Sequence, residues 1–166
     1  MTASTSTSTW TDADRVAKQK ETVALHIALE NAQQQERVLA ETFATEGVFY
    51  DVVPGVTHLE GLEGVNGFYD MLFATLPDIH IKVTHEYDVP GCSVREGVVT
   101  GTHSAEFLGV PASGNFISFA FCGLYLFGDD PTRLVAERAY WDNDGLLKQL
   151  RGEEKAIAEM PWGNPA

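Results

Sequence analysis

Alternating apolar and polar residues dominate the second half of the chain, and this pattern limits the folds that the chain can adopt. An alternating segment begins at Ile79, and longer ones follow at 93–108, 115–127 and 133–142. Period-two alternation is typical of strands with one buried face. The short turns between the segments are rich in Gly, Pro, Ser and Asp, as in hairpins that join antiparallel neighbours. The pattern therefore predicts a curved antiparallel sheet.

The first half of the chain shows helical spacing instead. Apolar residues recur at helical intervals over about 11–35, 36–44 and 62–76, and one strand is predicted over 48–53. Helices that come early and hairpins that come late indicate the α+β class. We expect about three N-terminal helices to pack against the curved sheet, giving a cone-shaped barrel whose open end is a pocket.

The size and composition fit one globular domain. The chain has 166 residues, of which 44% are hydrophobic, enough for a single core. The Ser/Thr-rich residues 1–12 are predicted to form a disordered tail, residues 13–152 a single domain, and residues 153–166 a C-terminal extension.

The charge argues against several classes of partner. The net charge is -13 and Lys and Arg form no basic patch, so we expect no nucleic acid and no membrane as a partner. No apolar run reaches a membrane span and no secretory signal is recognised, so a cytoplasmic location with Cys92 and Cys122 reduced is predicted. Neither metal-ligand spacing nor a phosphate-binding loop occurs, and we expect no metal and no cofactor.

Five short motifs resemble landmarks of one family in their order along the chain. The chain resembles the SnoaL-like polyketide cyclases, within the nuclear-transport-factor-2-like superfamily, over about residues 23–152. The resemblance rests on Gly61-Leu-Glu-Gly-Val-Asn-Gly-Phe-Tyr69, Leu76-Pro-Asp78, Gly101-Thr-His103, Gly109-Val-Pro111 and Leu147-Lys-Gln-Leu150.

This resemblance implies an intramolecular aldol cyclisation, and it also exposes a departure. In the family an aspartate on the last long strand is the acid/base, helped by a histidine on the preceding strand. Counted from the motifs, the aspartate's place falls on Ala139, and the histidine's place falls on Gly123, or on Cys122 with a one-residue shift. Epoxide hydrolases of the same fold also carry a carboxylate at the last-strand position.

Four other titratable residues are candidates for acid–base catalysis: His103, Asp51, Glu137 and His26. His103 has the small neighbours Gly101 and Ala105, which would leave room for a ligand beside an imidazole. The resemblance to ketosteroid isomerases of this fold matches their aspartate base to Asp51 and puts their phenolic donor near His26. Glu137 flanks Ala139 at two-residue spacing and would face the same side of its strand. For each, the alternative is a hydrogen-bonded or ion-paired residue with a structural role.

Aromatic residues on the predicted strands are candidates for the walls of a substrate pocket, or for ordinary core packing. His58 lies in a segment that could cover the pocket mouth. The candidate substrate contacts are Trp141, Tyr125, Phe119, Phe121, Tyr50 and His58.

The sequence is compatible with three functions. The first is a cofactor-independent cyclase or isomerase that performs acid–base chemistry on a hydrophobic, oxygenated, polyketide-like small molecule. The second is a non-catalytic small-molecule-binding or dimerisation module of the same fold, and the third an epoxide-opening or hydrating enzyme. Because the long strands are apolar on both faces, for example at Phe121 and Leu124, a homodimer is also predicted.

Overall fold

The computed structural model describes residues 10–52, 55 and 57–156, so most of the predicted tail (1–9) and extension (157–166) lies outside the described residues. Within these described residues, four helices and six strands follow one another. In order they are α1 (Asp12–Asn31), α2 (Gln35–Thr42), β1 (Phe49–Val52), β2 (Thr57–Glu60), α3 (Gly61–Thr75), β3 (His80–Val89), β4 (Cys92–Thr102), β5 (Phe116–Phe127), β6 (Leu134–Trp141) and α4 (Asn143–Leu150).

The six strands form one sheet in the order β2-β1-β6-β5-β4-β3. The predicted α+β class is confirmed, because β3, β4, β5 and β6 pair as successive antiparallel neighbours and α1 and α3 pack against the sheet. One pair was not predicted: β1 lies parallel to β6, with Tyr50 opposite Glu137. The long connection through α3 and the hairpins permits this parallel pairing.

Two short elements were not predicted from the sequence. The strand β2 has only four residues and no clear alternation, so the segment reads as a loop. The helix α4 follows Asp142, whose side chain accepts a hydrogen bond from the backbone N–H of Asp144 at 3.0 Å. Asp142 is therefore the N-cap of this helix.

The strand predicted over 93–108 ends earlier than expected. Strand β4 stops at Thr102, and the chain then runs as a loop to β5. A turn at Leu108 (φ 49°) and Gly109 (φ 77°) closes this loop, where Phe107 and Val110 exchange backbone hydrogen bonds. His103 therefore lies in a loop and not on a strand.

The helix α3 lies close against the inner face of the sheet. Its residues Val65 and Tyr69 are completely buried. At Gly101 an added Cβ would lie 3.1 Å from the Leu76 Cβ, a tight contact, so glycine favours this approach. The expected free space beside Gly101 is thus occupied by the end of α3. In the part of the chain that the structure describes, no helix is long and apolar enough to span a membrane.

Candidate active site

A cavity of about 70 Å³ lies inside the cone, between the helices and the sheet; we call it the inner cavity. Its wall is apolar except at a few positions. Strand β5 contributes Ile117, Phe119, Phe121 and Tyr125, because alternate residues face inward. Carboxyl, hydroxyl and phenol groups line the cavity at five positions: Glu30, Tyr50, Thr75, Tyr125 and Glu137.

Five of the six predicted substrate contacts line the inner cavity. They are Trp141, Tyr125, Phe119, Phe121 and Tyr50. Period two on β5 and β6 is enough to bring the first four of these side chains to one face, and Tyr50 is supplied by β1. Contact with a substrate stays a prediction for each of them.

Ala139 also faces the inner cavity, between Glu137 and Trp141 on the same strand, as its alternation predicts. Its neighbour across the sheet is Gly123. An added Cβ at Gly123 would lie 3.2 Å from Cε2 of Tyr125 and 3.3 Å from its hydroxyl oxygen, so the phenol occupies the space that this glycine leaves. That Ala139 stands where relatives carry their catalytic aspartate stays a prediction.

A buried cluster of charged side chains forms one end of the inner cavity. Glu137 Oε2 lies 3.2 Å from Nε2 of His26, and Glu30 Oε1 lies 3.4 Å from the same nitrogen. The hydroxyl of Tyr50 donates to Glu137 Oε1 at 3.0 Å, and that of Tyr69 donates to Glu30 Oε1 at 3.0 Å. Helix α1 supplies His26 and Glu30 from one face, since residues four apart are neighbours on a helix.

The hydrogen bonds around His26 indicate that both ring nitrogens carry a proton. Nδ1 lies 2.8 Å from Oγ1 of Thr42, whose own proton is donated to the Val38 carbonyl, so Nδ1–H is the donor. Nε2 lies 3.1 Å from the Tyr69 hydroxyl, whose proton is donated to Glu30. Complete burial lowers the pKa of His26, but the carboxylates of Glu30 and Glu137 outweigh burial and raise that pKa to about 10.

The carboxyl of Glu137 has a raised pKa. Burial is the main cause, and the nearby charge of Glu30 adds to it, while His26 and Tyr50 act in the opposite direction. Within the described residues Glu137 Oε2 accepts no aligned hydrogen bond. The group is thus a carboxyl that faces an apolar cavity and holds its proton more tightly than an exposed glutamate.

His26, Glu30 and Glu137 also have the chemistry of a metal site, because one ligand-type atom from each lies within 4.8 Å of the others. A metal would need the lone pair of Nε2. The hydrogen bonds give that nitrogen a proton instead. The donor set therefore fits a protonated imidazole between two carboxylates better than it fits a cation.

Asp51 does not line the inner cavity, so the predicted placement of this candidate base is wrong. In the pairing of β1 with β6, Tyr50 lies opposite Glu137 and Asp51 opposite Arg138. Successive residues of a strand face opposite sides, so Asp51 points away from the cavity. It accepts hydrogen bonds from Arg138 Nε at 2.9 Å and pairs with His58 Nδ1 at 2.6 Å. His58 accordingly does not reach the inner cavity either.

His103 is completely buried but does not line the inner cavity. Its Nδ1 lies 2.9 Å from Oγ of Ser113 and 3.3 Å from the backbone nitrogen of the same residue, across the loop between β4 and β5. This candidate for acid–base catalysis therefore lies outside the cavity that Glu137 lines, because strand β4 ends before it. The geometry fits the structural alternative, in which the hydrogen bonds of this histidine stabilise the loop.

Three members of the cluster were not predicted: Glu30, Tyr69 and Thr42. For Glu30 the sequence contains an indication of burial beside His26. Glu30 follows His26 by four residues on a helical face that also carries Val23 and Ile27. A buried carboxylate at that spacing predicts an ion pair with the histidine. Tyr69 and Thr42 lie on other helices, and no local pattern connects them to His26.

Comparison with known proteins gives the family of this chain. The model of the SnoaL-like polyketide cyclases matches residues 21–150. A protein from Jannaschia sp. CCS1 assigned to these cyclases is 20% identical, with a TM-score of 0.73 over 85% of this chain and 96% of its own. No curated protein sequence matches the chain.

Two further solved structures show how widely this fold is used. IdmH from Streptomyces antibioticus, assigned as a polyketide cyclase, is 25% identical, with a TM-score of 0.66 over 80% of this chain and 98% of its own. An LEH-like epoxide hydrolase of M. tuberculosis is 14% identical, with a TM-score of 0.65 over 82% of this chain and 92% of its own. The family match spans most of the chain, and the chain belongs to the SnoaL-like polyketide cyclase family, with its nuclear-transport-factor-2-like fold.

Proposed function

We propose that this protein is a cofactor-independent enzyme that moves a proton next to a carbonyl group of a small, hydrophobic, oxygenated molecule. The observation that carries the proposal is the carboxyl of Glu137, which faces an apolar cavity and has a raised pKa. Groups that exchange protons with carbon work best when their pKa lies near the working pH.

The proposed step uses two groups of the inner cavity. Glu137 Oε2 takes a proton from the carbon beside the carbonyl, and the electron pair of that C–H bond moves onto the carbonyl oxygen to give an enolate. The phenol of Tyr125 lines the cavity and makes no hydrogen bond within the described residues, so it is free to donate one to that oxygen. Such a donor stabilises the charge that develops in the transition state.

The enolate then has three outcomes that balance in atoms and charge. Glu137 returns the proton to another carbon in an isomerisation. In a cyclisation the enolate carbon attacks a second carbonyl of the same molecule, and the new alkoxide takes the proton. In a dehydration the enolate expels a β-hydroxyl group, which leaves as water with that proton. Family membership favours cyclisation among these three.

The buried cluster supports Glu137 in this role. The protonated His26, 3.2 Å from Oε2, stabilises the carboxylate form, and Tyr50 holds Oε1 by a hydrogen bond. The hydroxyl of Tyr69 bridges Nε2 of His26 and the carboxylate of Glu30. The positive charge of His26 is therefore balanced by Glu137 on one side and by Glu30 on the other. The cluster fixes both the orientation and the proton affinity of Glu137.

The experiment is hydrogen–deuterium exchange at the α carbon of 2-butanone in deuterium oxide, followed by NMR. We expect the wild-type protein to catalyse exchange and Glu137→Gln to lose it. Binding of the ketone without any exchange would instead indicate a binding module. Conversion of 1,2-epoxybutane to a diol that contains oxygen-18 from labelled water would indicate the hydrating enzyme.

A further inference from the structure

A second pocket of about 350 Å³ adjoins the inner cavity, and we call it the outer pocket. Helix α3 and strand β2 form two of its sides, and Phe107 and Leu108 of the loop after β4 form another. Among the described residues, no charged side chain lines it. The outer pocket therefore suits an uncharged, apolar group.

Four side chains line both compartments and form the wall between them: Phe68, Met71, Phe107 and Trp141. Phe107 and Met71 are only partly buried where they pack against the core, and they are the best suited to move. Phe107 lies in a loop outside the sheet, and Met71 has an unbranched, flexible side chain. A displacement of these two side chains would join the two compartments into one continuous space.

The sizes of the two compartments limit what each can hold. Ligand pockets for drug-sized molecules usually measure about 300–1,000 Å³, so an inner cavity of about 70 Å³ accepts only a carbonyl with its nearest carbons. The outer pocket has the volume for a much larger apolar part. A polyketide-sized molecule needs both.

We infer that the substrate is bipartite: a small ketone head lies in the inner cavity beside Glu137, and an apolar tail lies in the outer pocket. This inference rests on the proposed function for its head and adds the tail and its binding site. The wall of four shared side chains limits how wide the substrate can be next to the carbonyl. Unbranched tails that pass between Phe107 and Met71 are therefore favoured over tails branched near the carbonyl.

Gly67 of α3 offers a precise test of the tail site. It lines the outer pocket but not the inner cavity, and an added Cβ there would meet no atom within 4 Å. A Leu side chain at this position would begin in open space, and we expect it to extend into the outer pocket. Gly67→Ala is the matched control, since it makes the same backbone change with a side chain too small to fill the pocket.

The probe is the series of straight-chain 2-alkanones from 2-butanone to 2-nonanone, with dissociation constants measured by calorimetry. For the wild type we expect affinity to rise about fourfold for each added methylene. Gly67→Leu should bind 2-butanone as the wild type does but lose about tenfold or more of its affinity for 2-nonanone. Gly67→Ala should follow the wild type along the whole series.

Affinity that does not change with chain length in the wild type would overturn the inference, and this series needs no variant to fold. Unchanged affinity of Gly67→Leu for 2-nonanone, or no binding by any member, would overturn it as well. The proposed function has a separate readout, exchange at the α carbon of 2-butanone. If exchange persists while the chain-length dependence is missing, the tail site fails and the proton-transfer site stands.

Discussion

Glu137 and His26 lie 3.2 Å apart at the end of the inner cavity, although 110 residues separate them in the sequence. Strand β6 supplies the carboxyl and helix α1 supplies the imidazole. The two side chains are almost completely buried, and each changes the proton affinity of the other. This pair connects the stability of the fold with the chemistry proposed for the cavity.

The pH dependence of stability should report the protonated state of His26. Its pKa is about 10 in the folded protein and has the ordinary value of 6.5 in the unfolded chain. The folded state therefore holds a proton that the unfolded state has lost between these values. The stabilisation is complete below pH 6.5 and is lost as the pH rises through about 10. Urea unfolding should show a decrease of a few kcal/mol in the free energy of unfolding over this window.

Two variants separate this effect from general titration of the protein. His26→Gln should lower stability at pH 6.5 and flatten the dependence on pH above it. His80→Gln is the matched control, since His80 is exposed, and it should keep the wild-type slope. A wild-type protein whose stability is constant from pH 6.5 to 10 would contradict a protonated His26.

Tyr50→Phe should move the pH profile of exchange to higher pH. The hydroxyl of Tyr50 donates to Glu137 Oε1, and this bond lowers the pKa of Glu137. Without it the carboxyl holds its proton to higher pH, so less of the base form is present at neutrality. The ring of Phe keeps the stacking on Phe68, at 4.1 Å between centroids. Exchange rates measured from pH 4 to 9 should show this shift, and Tyr140→Phe, at an exposed position, should show none.

Asp51→Asn should affect stability and not exchange. The carboxylate of Asp51 pairs with Arg138 and His58 on the side of β1 away from the cavity. Loss of these charged hydrogen bonds should lower the free energy of unfolding by about 1 kcal/mol. The exposed Glu46→Gln serves as control and should leave stability unchanged. An unchanged stability together with slow exchange in Asp51→Asn would contradict this placement.

The outer face of the sheet should mediate a homodimer. Tyr87, Val94 and Leu124 lie next to one another across β3, β4 and β5 on that face, and Tyr87 is 55% exposed. Val94 and Leu124 are half-buried, and contiguous apolar residues that remain accessible to solvent usually mark an interface. We expect light scattering to give twice the chain mass of 18.2 kDa, and Leu124→Glu to give the monomer.

Leu25→Glu is the matched control for the dimer, because Leu25 is an exposed apolar residue of α1 away from the sheet. It should leave the mass unchanged. A wild-type protein that is monomeric at micromolar concentration would rule out this interface.

The strands and the cavity wall could be predicted from the sequence because they depend on local alternation. Phe119, Tyr125 and Trp141 face the cavity because alternate residues of a strand point to the same side. Asp51 was misplaced by a single position, since its neighbour Tyr50 takes the inward direction. His103 was misplaced because the alternation continues past Thr102, where strand β4 ends.

The charged cluster could not be predicted in full, since its members come from three helices and two strands. The sequence shows that His26 and Glu30 share a helical face, but it does not show that Glu137 packs against that face. Only the closure of the sheet against α1 and α3 brings them together. Burial, which raises the pKa of Glu137, appears at the same stage.

The central claim is that Glu137, and neither Asp51 nor His103, exchanges protons with a bound ketone. The most direct measurement is the rate of α-deuterium exchange of 2-butanone by the wild type, Glu137→Gln, Asp51→Asn and His103→Ala, with folding of each variant verified by circular dichroism. We predict that Glu137→Gln lowers the rate by about a hundredfold or more, the usual effect of removing a general base. Asp51→Asn and His103→Ala, once folded, should stay within about twofold of the wild type, because neither side chain lines the inner cavity. Full activity of Glu137→Gln with loss of activity in either other variant would contradict the account.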